Sequence, residues 1–307
     1  MIRYIPHKEI DTEQWDACVN KDQRGLIYGF SWYLDMVSPG WDGMVLNDYE
    51  AVLPLPVKTK WGIPYIMWPY GAQQLGVFTR RELTAEIVLS FLSSIPRNFL
   101  MIDIRLNEGD PVDMIPNDRL VKNTNYLLSL SRPYEQIYEG YSGQTRRNLK
   151  KAQKHGFSIF EHDSPEALIQ FFRREKGSEL PHLTDWHYKR MQHVQYVLLH
   201  KRRGEVWTIH DEHNTICAGA FFVRTRNRLT YLFGAANDFA RQTGAMTYLF
   251  NEVFIFNSGQ LLQFDFEGSN HPGIARFFEG FGARPVIYHN YQYSPYPPLR
   301  WWMSRRR

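Results

Sequence analysis

The chain is poor in cysteine, with only Cys18 and Cys217. They stand apart without CxxC spacing, so neither a disulfide framework nor a cysteine zinc site is expected. Long hydrophobic runs are also missing. No stretch approaches the ~18 apolar residues of a membrane-crossing helix, so stable membrane insertion is not expected. The opening MIRYIPHKEI lacks the apolar centre of a secretory signal, and a cytoplasmic protein is the expectation. Low-complexity segments are absent, as are a Walker loop, a GxGxxG turn and a nucleophile-elbow serine. His182, His187 and His193 fit neither HExxH nor a zinc ribbon, so no metal is expected. Charge of one sign is scarce too. The balance of 36 basic and 32 acidic residues gives +4, which admits an anionic partner without requiring one.

Apolar and aromatic residues are plentiful. They make up 43% and 15% of 307 residues, enough for a large core and against a disordered or fibrous chain. That length suits two domains. Two stretches, from Trp41 to Gly76 and from Trp207 to Gly244, carry the same pattern. Each reads as a strand, a polar turn (Asn47-Asp48; Asp211-Glu212), a strand, a basic hairpin turn (Lys58 to Trp61; Arg224 to Arg228) and a third strand. A polar loop ending in glycine follows. Helical spacing comes next, at Leu83, Ile87 and Phe91 and at Leu249, Val253 and Phe256. Short apolar strands close the units, FLMIDIRL from Phe99 and LLQFDFEG from Leu261. This order implies a tandem duplication of one α/β domain, with domains over 1–132 and 133–307.

Three features of the second copy could carry chemistry. The segment SGQTRRNLKKAQKHGF reads as a helix with Ser142 and Thr145 as candidate N-caps and Gly156 beyond its end. Arg146, Lys150 and Lys154 form one stripe, and Arg147, Lys151 and His155 the next. Arginines near a helix N-terminus oppose the macrodipole unless an anion binds, so Arg146, Arg147 and Lys150 are candidate phosphate ligands. A solvated cationic face is the alternative. Second, Arg241, Gln242, Gly244 and Ala245 precede a helix, where glycine lets backbone amides approach a phosphate. A plain helix-starting loop is the alternative. Third, FDFEGSNHPG places Asp265 and Glu267 two apart on a strand ending at Glu267, where they share one face. Two carboxylates so placed repel, raising one pKa toward the range of a general base. Capping of the following turn is the alternative. The first copy carries Asp103 where the second has Asp265, and Arg105 where it has Glu267. Glu267 is therefore the better candidate for base, with Asp265 orienting the turn and Tyr231 as a proton donor.

The duplication, the TRRNLKKAQKHGF helix and the FDFEG…GIARFFEGFGARP ending together resemble the FemAB-like branch of the GNAT acyltransferase superfamily. The resemblance covers most of the chain from about Phe30. It implies two tandem GNAT-like domains, each a mixed, mostly antiparallel sheet flanked by helices. It also implies transfer of an acyl or aminoacyl group from acyl-CoA or aminoacyl-tRNA to an amine, on a small molecule or a glycopeptide such as a cell-envelope precursor. Arg241-x-x-Gly244 resembles the GNAT coenzyme A loop, although Met246 stands where that pattern has a small residue. Asp265 and Gly268 match the family's aspartate and glycine after the last strand, and Phe277, Phe281 and Gly282 match its Phe-Lys-x-x-Phe-Gly helix end. Phe278 replaces the lysine with which tRNA-dependent members handle the acyl group. Phenylalanine can neither donate to an oxyanion nor neutralise a phosphate, which counts against tRNA as donor. Two other readings stand beside this one. One is a non-catalytic binder of RNA or of a phosphorylated glycan precursor through helix 146–154, and the other an enzyme fed by a carrier-protein thioester. The tail ending in Arg305-Arg306-Arg307 reads as a frayed basic end after a packed Trp301-Trp302 pair.

Overall fold

The computed structural model describes residues 1–181 and 183–304, so His182 and Arg305 to Arg307 lie outside the described residues. The chain begins with β1 (Ile2–Ile5), α1 (Thr12–Lys21), α2 (Ser31–Val37), β2 (Asp42–Leu46), β3 (Ala51–Leu55), β4 (Val57–Lys60) and β5 (Ile63–Met67). Next come β6 (Phe78–Thr79), α3 (Ala85–Ser93), β7 (Ile102–Arg105) and β8 (Leu120–Ser129). The middle holds α4 (Tyr134–Glu139), α5 (Gly143–Ala152), β9 (Ser158–Phe160), α6 (Pro165–Lys176), α7 (Asp185–His200), β10 (Gly204–His210), β11 (Ile216–Arg224) and β12 (Arg228–Ala236). It ends with α8 (Asp238–Thr243), α9 (Ala245–Asn257), β13 (Gln263–Asp265), α10 (Pro272–Glu279), β14 (Arg284–Tyr293) and α11 (Pro297–Ser304).

Two compact units result, one of Met1–Thr124 with the segment from Val286 onward, the other Asn125–Pro285. The division falls near the boundary expected at 132, but the last segment returns to the first unit. It does so because β14 pairs antiparallel with β7, Asn290 opposite Arg105, and the Asn290 and Gln292 amides donate to Asp103 at 2.7 and 3.3 Å. Such a return is invisible to a reading that follows chain order.

Both units are mixed α/β assemblies, as expected. In the first, the order is β1-β2-β3-β6 in one sheet, while β4, β5, β7 and β14 adjoin in that order in another. Pro56 separates β3 from β4 at the change of sheet. In the second, the order is β8-β13-β12-β11-β10-β9. The expected repeat appears as one shared feature. In each unit the last strand of the meander pairs in parallel with the short strand that follows the helix: β5 with β7, and β12 with β13.

The second unit is held by aromatic packing around α9. Phe250 is fully buried, with Tyr231, Phe264, Phe266, Phe277 and Phe281 within 5.0–5.8 Å, ring centre to ring centre. Tilted and edge-on aromatic pairs of this kind add about 0.5–1.5 kcal/mol each beyond area burial. Phe250→Ala should therefore cost about 3–5 kcal/mol, read as a shift in the urea unfolding midpoint. The α4–α5 turn docks on the end of α10. Ser142 N–H donates to the Gly280 carbonyl at 2.8 Å, and a Cβ on Gly280 would sit 2.5 Å from Thr145 Oγ1. Two segments singled out in the sequence, the basic helix and the FFEGFG turn, thus meet for packing reasons. Ser142 caps α5, whereas Thr145 lies inside it, and the helix ends at Ala152 before Lys154 and His155.

Candidate active site

The candidate site lies where β12 and β13 part. Their parallel pairing covers Arg228↔Gln263, Leu229↔Phe264 and Thr230↔Asp265; β13 then ends while β12 continues to Ala236. On the other side of β12, Phe233 and Tyr231 pair with Phe221 and Phe222, leaving Leu232 as an extra, bulged residue. Bulges turn a strand and re-aim its side chains, and this one lies beside Tyr231. Gly234 makes room there, because a Cβ would come within 2.7 Å of the Tyr231 hydroxyl and 2.5 Å of the Gly219 carbonyl.

Asp265 closes the seam. It is fully buried, and its Oδ2 accepts from Arg228 Nη1 at 2.6 Å, while Oδ1 accepts the Glu267 backbone N–H at 2.8 Å. The arginine supplies the opposite charge a buried carboxylate requires. Asp265 thereby ties the start of the turn to Arg228. The expectation that Asp265 and Glu267 repel on one strand face is corrected, because β13 stops at Asp265 and Arg228 balances that carboxylate.

Glu267 sits beyond the strand, half-buried, with φ +56°, and Gly268 follows at φ +56°. Left-handed backbone at a glutamate costs about 1–2 kcal/mol and aims its side chain away from the strand's alternation. The Tyr231 ring packs edge-on against Phe250 at 5.0 Å. Burial, and then the charge of Glu267, push its phenol pKa up, which keeps the hydroxyl protonated through neutral pH.

The first unit shows the same seam with different side chains. Asp103 ends the β5–β7 pairing opposite Met67, as Asp265 does opposite Thr230. One residue beyond Met67 stands Trp68, and two beyond Asp103 stands Arg105, so they hold the positions of Tyr231 and Glu267. There the Arg105 guanidinium stacks on the Trp68 ring at 3.6 Å. The glycine loop is closed as well. Gly76 and Val77 N–H donate to Asn107 Oδ1 and Asp110 Oδ2, and Arg24 pairs with Asp110 at 2.5 Å. The chain's own carboxylate thus takes the amide that an anion would use.

The other expected ligands scatter. Arg241 belongs to α8 and pairs with Asp238 at 2.6 Å, with its side chain 46% exposed. Gln242 is exposed and Ala245 buried. Gly244 (φ +83°) ends α8 and starts α9, and a Cβ there would lie 2.7 Å from the Asn148 carbonyl of α5. Its immediate task is to let two helices meet, so Gly244→Ala should cost about 1–3 kcal/mol in thermal unfolding. Arg146 is spent on the chain itself. Its Nη2 donates to the Glu139 carbonyl at 2.7 Å at the end of α4. Arg147, Lys150, Lys151 and Lys154 are exposed, and among the described residues none forms an ion pair. His187 donates or accepts within the Thr184 cap of α7, and His193 is exposed. Of the expected packed pair, Trp301 is 57% exposed, and the Trp302 side chain lies outside what is described. Phe278 is buried on Phe266 (4.6 Å) and Tyr126 (5.9 Å), so this position faces the core.

With that geometry in view, the fold can be compared with known proteins. A crystal structure of FemX superposes with a TM-score of 0.69 at 13% identity, covering 97% of this chain and 98% of that one. L-PGS from Bacillus licheniformis gives 0.58 at 12% identity over 95% and 94%. The C-terminal domain of a putative lysylphosphatidylglycerol synthetase from Agrobacterium fabrum gives 0.55 at 12% over 91% and 90%. No protein-family model matches the chain, and no curated protein matches it. The chain has the fold of FemX. Among the described residues, no helix is long and apolar enough to cross a membrane.

Proposed function

We propose that the second unit is an N-acyltransferase that moves an acyl or aminoacyl group to an amine. The observation that carries this reading is the difference between the two seams. Where the first unit holds an arginine stacked on a tryptophan, the second holds a strained glutamate beside a protonated phenol.

In this reading the acceptor attacks the donor carbonyl carbon as a neutral amine, an ammonium having first lost one proton to solvent, and Glu267 takes the proton that the nitrogen sheds as the N–C bond forms. As the tetrahedral intermediate collapses, the C–S bond of a thioester or the C–O bond of an aminoacyl ester breaks. The Tyr231 hydroxyl gives its proton to the leaving sulfur or oxygen. A phenol with a raised pKa suits a strongly basic leaving oxygen. Proton return from Glu267 to Tyr231 through solvent resets the site. Asp265 takes no proton and holds the Glu267 amide. The donor is acyl-CoA or aminoacyl-tRNA, and the name of one structural neighbour, a putative lysylphosphatidylglycerol synthetase, favours the aminoacyl class. The burial of Phe278 supports the contrary, CoA-like choice. Product formation from radiolabelled acetyl-CoA and from charged tRNA, each with a panel of amine acceptors, tests the reading. No product from any donor would remove it.

A second reading is supported by the exposed cations of α5, which adjoin stacked His155 and Phe157 (5.7 Å) and the 42% exposed Phe239. Cations interleaved with aromatic rings suit RNA or a phosphorylated glycan precursor held without turnover. Binding that falls steeply with salt and yields no product favours this reading. Turnover with weak salt dependence favours the transferase.

A further inference from the structure

The first unit contains a cleft that the transfer chemistry does not use. It has a volume of about 480 Å³ and is walled by the end of α3, the segment after it, the start of β7, residues 115–119 and β14. It lies at the entry of β7, at Ile102, whereas Trp68 and Arg105 stand at the exit of that strand. Its floor is the edge of the core. Leu92, Ile95, Phe99, Ile102, Ile115 and Tyr291 each keep 4–5% exposure, while Val88, Phe91 and Ile104 just behind them have none. Each of the six therefore shows a sliver of surface to one concavity. Among the described residues no carboxylate lines it, and two arginines do. Arg97 is exposed; Arg119 is half-buried, with its guanidinium 4.8 Å over the Tyr293 ring. Among the described residues neither arginine forms an ion pair. A guanidinium stacked on a ring keeps in-plane donors available for a carboxylate or phosphate.

We propose that this cleft binds a small, soluble anionic amphiphile, an alkyl chain ending in a carboxylate or a phosphate. The chain would lie on the apolar floor and the head group between Arg97 and Arg119. Small-molecule sites combine mainly apolar walls with a few orienting polar groups at comparable volumes. The head needs the arginines and the chain needs the floor, so neither part alone suffices. This site is independent of the transfer reaction, and loss of either reading leaves the other intact.

Calorimetric titration of the full chain with octyl phosphate, octanoate, octanol and inorganic phosphate tests the proposal, all below micelle concentrations. One-to-one saturable binding is expected for octyl phosphate or octanoate. Octanol and inorganic phosphate should bind at least tenfold more weakly. Arg97→Gln and Arg119→Gln should each weaken the anionic amphiphile about tenfold, the size of a lost charged hydrogen bond. Ser93→Trp, at the exposed end of α3, should block the cleft while leaving the fold and the transfer site as they are. If neither anionic amphiphile saturates, the proposal is wrong. It is equally wrong if octanol binds as tightly, or if the arginine and Ser93 variants bind like wild type. Binding seen only with anionic vesicles, and not with the soluble chains, would assign the arginines to a lipid surface and overturn the cleft.

Discussion

Glu267→Gln is expected to reduce turnover by about 10²–10⁴-fold, the usual worth of a positioned general base, with donor affinity little changed. Glutamine keeps the shape and hydrogen-bonding reach of the side chain but cannot take a proton. Donor contacts elsewhere are untouched, so the loss should lie in kcat rather than KM. A second substitution separates chemistry from architecture. Glu267 holds a backbone conformation, φ +56°, that glycine adopts without strain. Glu267→Gly should thus be as inactive as Glu267→Gln. Relief of strain and the added freedom of the unfolded chain nearly cancel, so its stability should stay within about 1 kcal/mol of wild type. Steady-state kinetics beside urea unfolding of both variants checks this. An active Glu267→Gly protein would show that the turn, and not the carboxylate, is what matters. Tyr231→Phe should also lower kcat, since no donor then protonates the leaving group, while the ring's packing on Phe250 persists.

Much of this site could be read from the sequence, and the missing parts share a physical cause. Periodicity and turn chemistry are local, so the repeated meander, the helix and the closing strand stood out in each copy, and the shared aspartate with them. The comparison of Glu267 with Arg105 needed nothing more. Arg228 was missed because its partner lies 37 positions away, across a strand pairing that no spacing rule records. It was read as part of a basic hairpin turn, which it also ends. The left-handed backbone of Glu267 was hidden because only glycine, asparagine and aspartate advertise that conformation. At Gly244 the sequence pattern points to a phosphate loop, whereas the close contact at this residue comes from Asn148 of α5, nearly one hundred residues earlier in the chain. The return of β14 was hidden for the same reason, since Asn290 and Gln292 meet Asp103 from the far end of the sequence. Short-range patterns therefore located the seam, and long-range contacts decided what each residue in it does.

Removing either member of the Arg228–Asp265 pair should cost about 3–5 kcal/mol, because the survivor is left charged in a site with almost no solvent. Arg228 is 2% exposed and Asp265 0%. Arg228→Met and Asp265→Leu are suitable single variants, and the double variant should regain most of the loss, since apolar groups of similar volume can replace a buried ion pair. A double-mutant cycle in urea measures that coupling. Activity should not follow stability. The double variant still lacks the Asp265 Oδ1 that holds the Glu267 N–H at 2.8 Å, so the strained turn loses the contact that fixes it. A well-folded double variant with turnover reduced at least tenfold, and with a normal donor KM, is the expected result. Full activity in that variant would mean that Glu267 is positioned without the aspartate. Asp265 would then serve the fold alone, in the second unit as Asp103 does in the first.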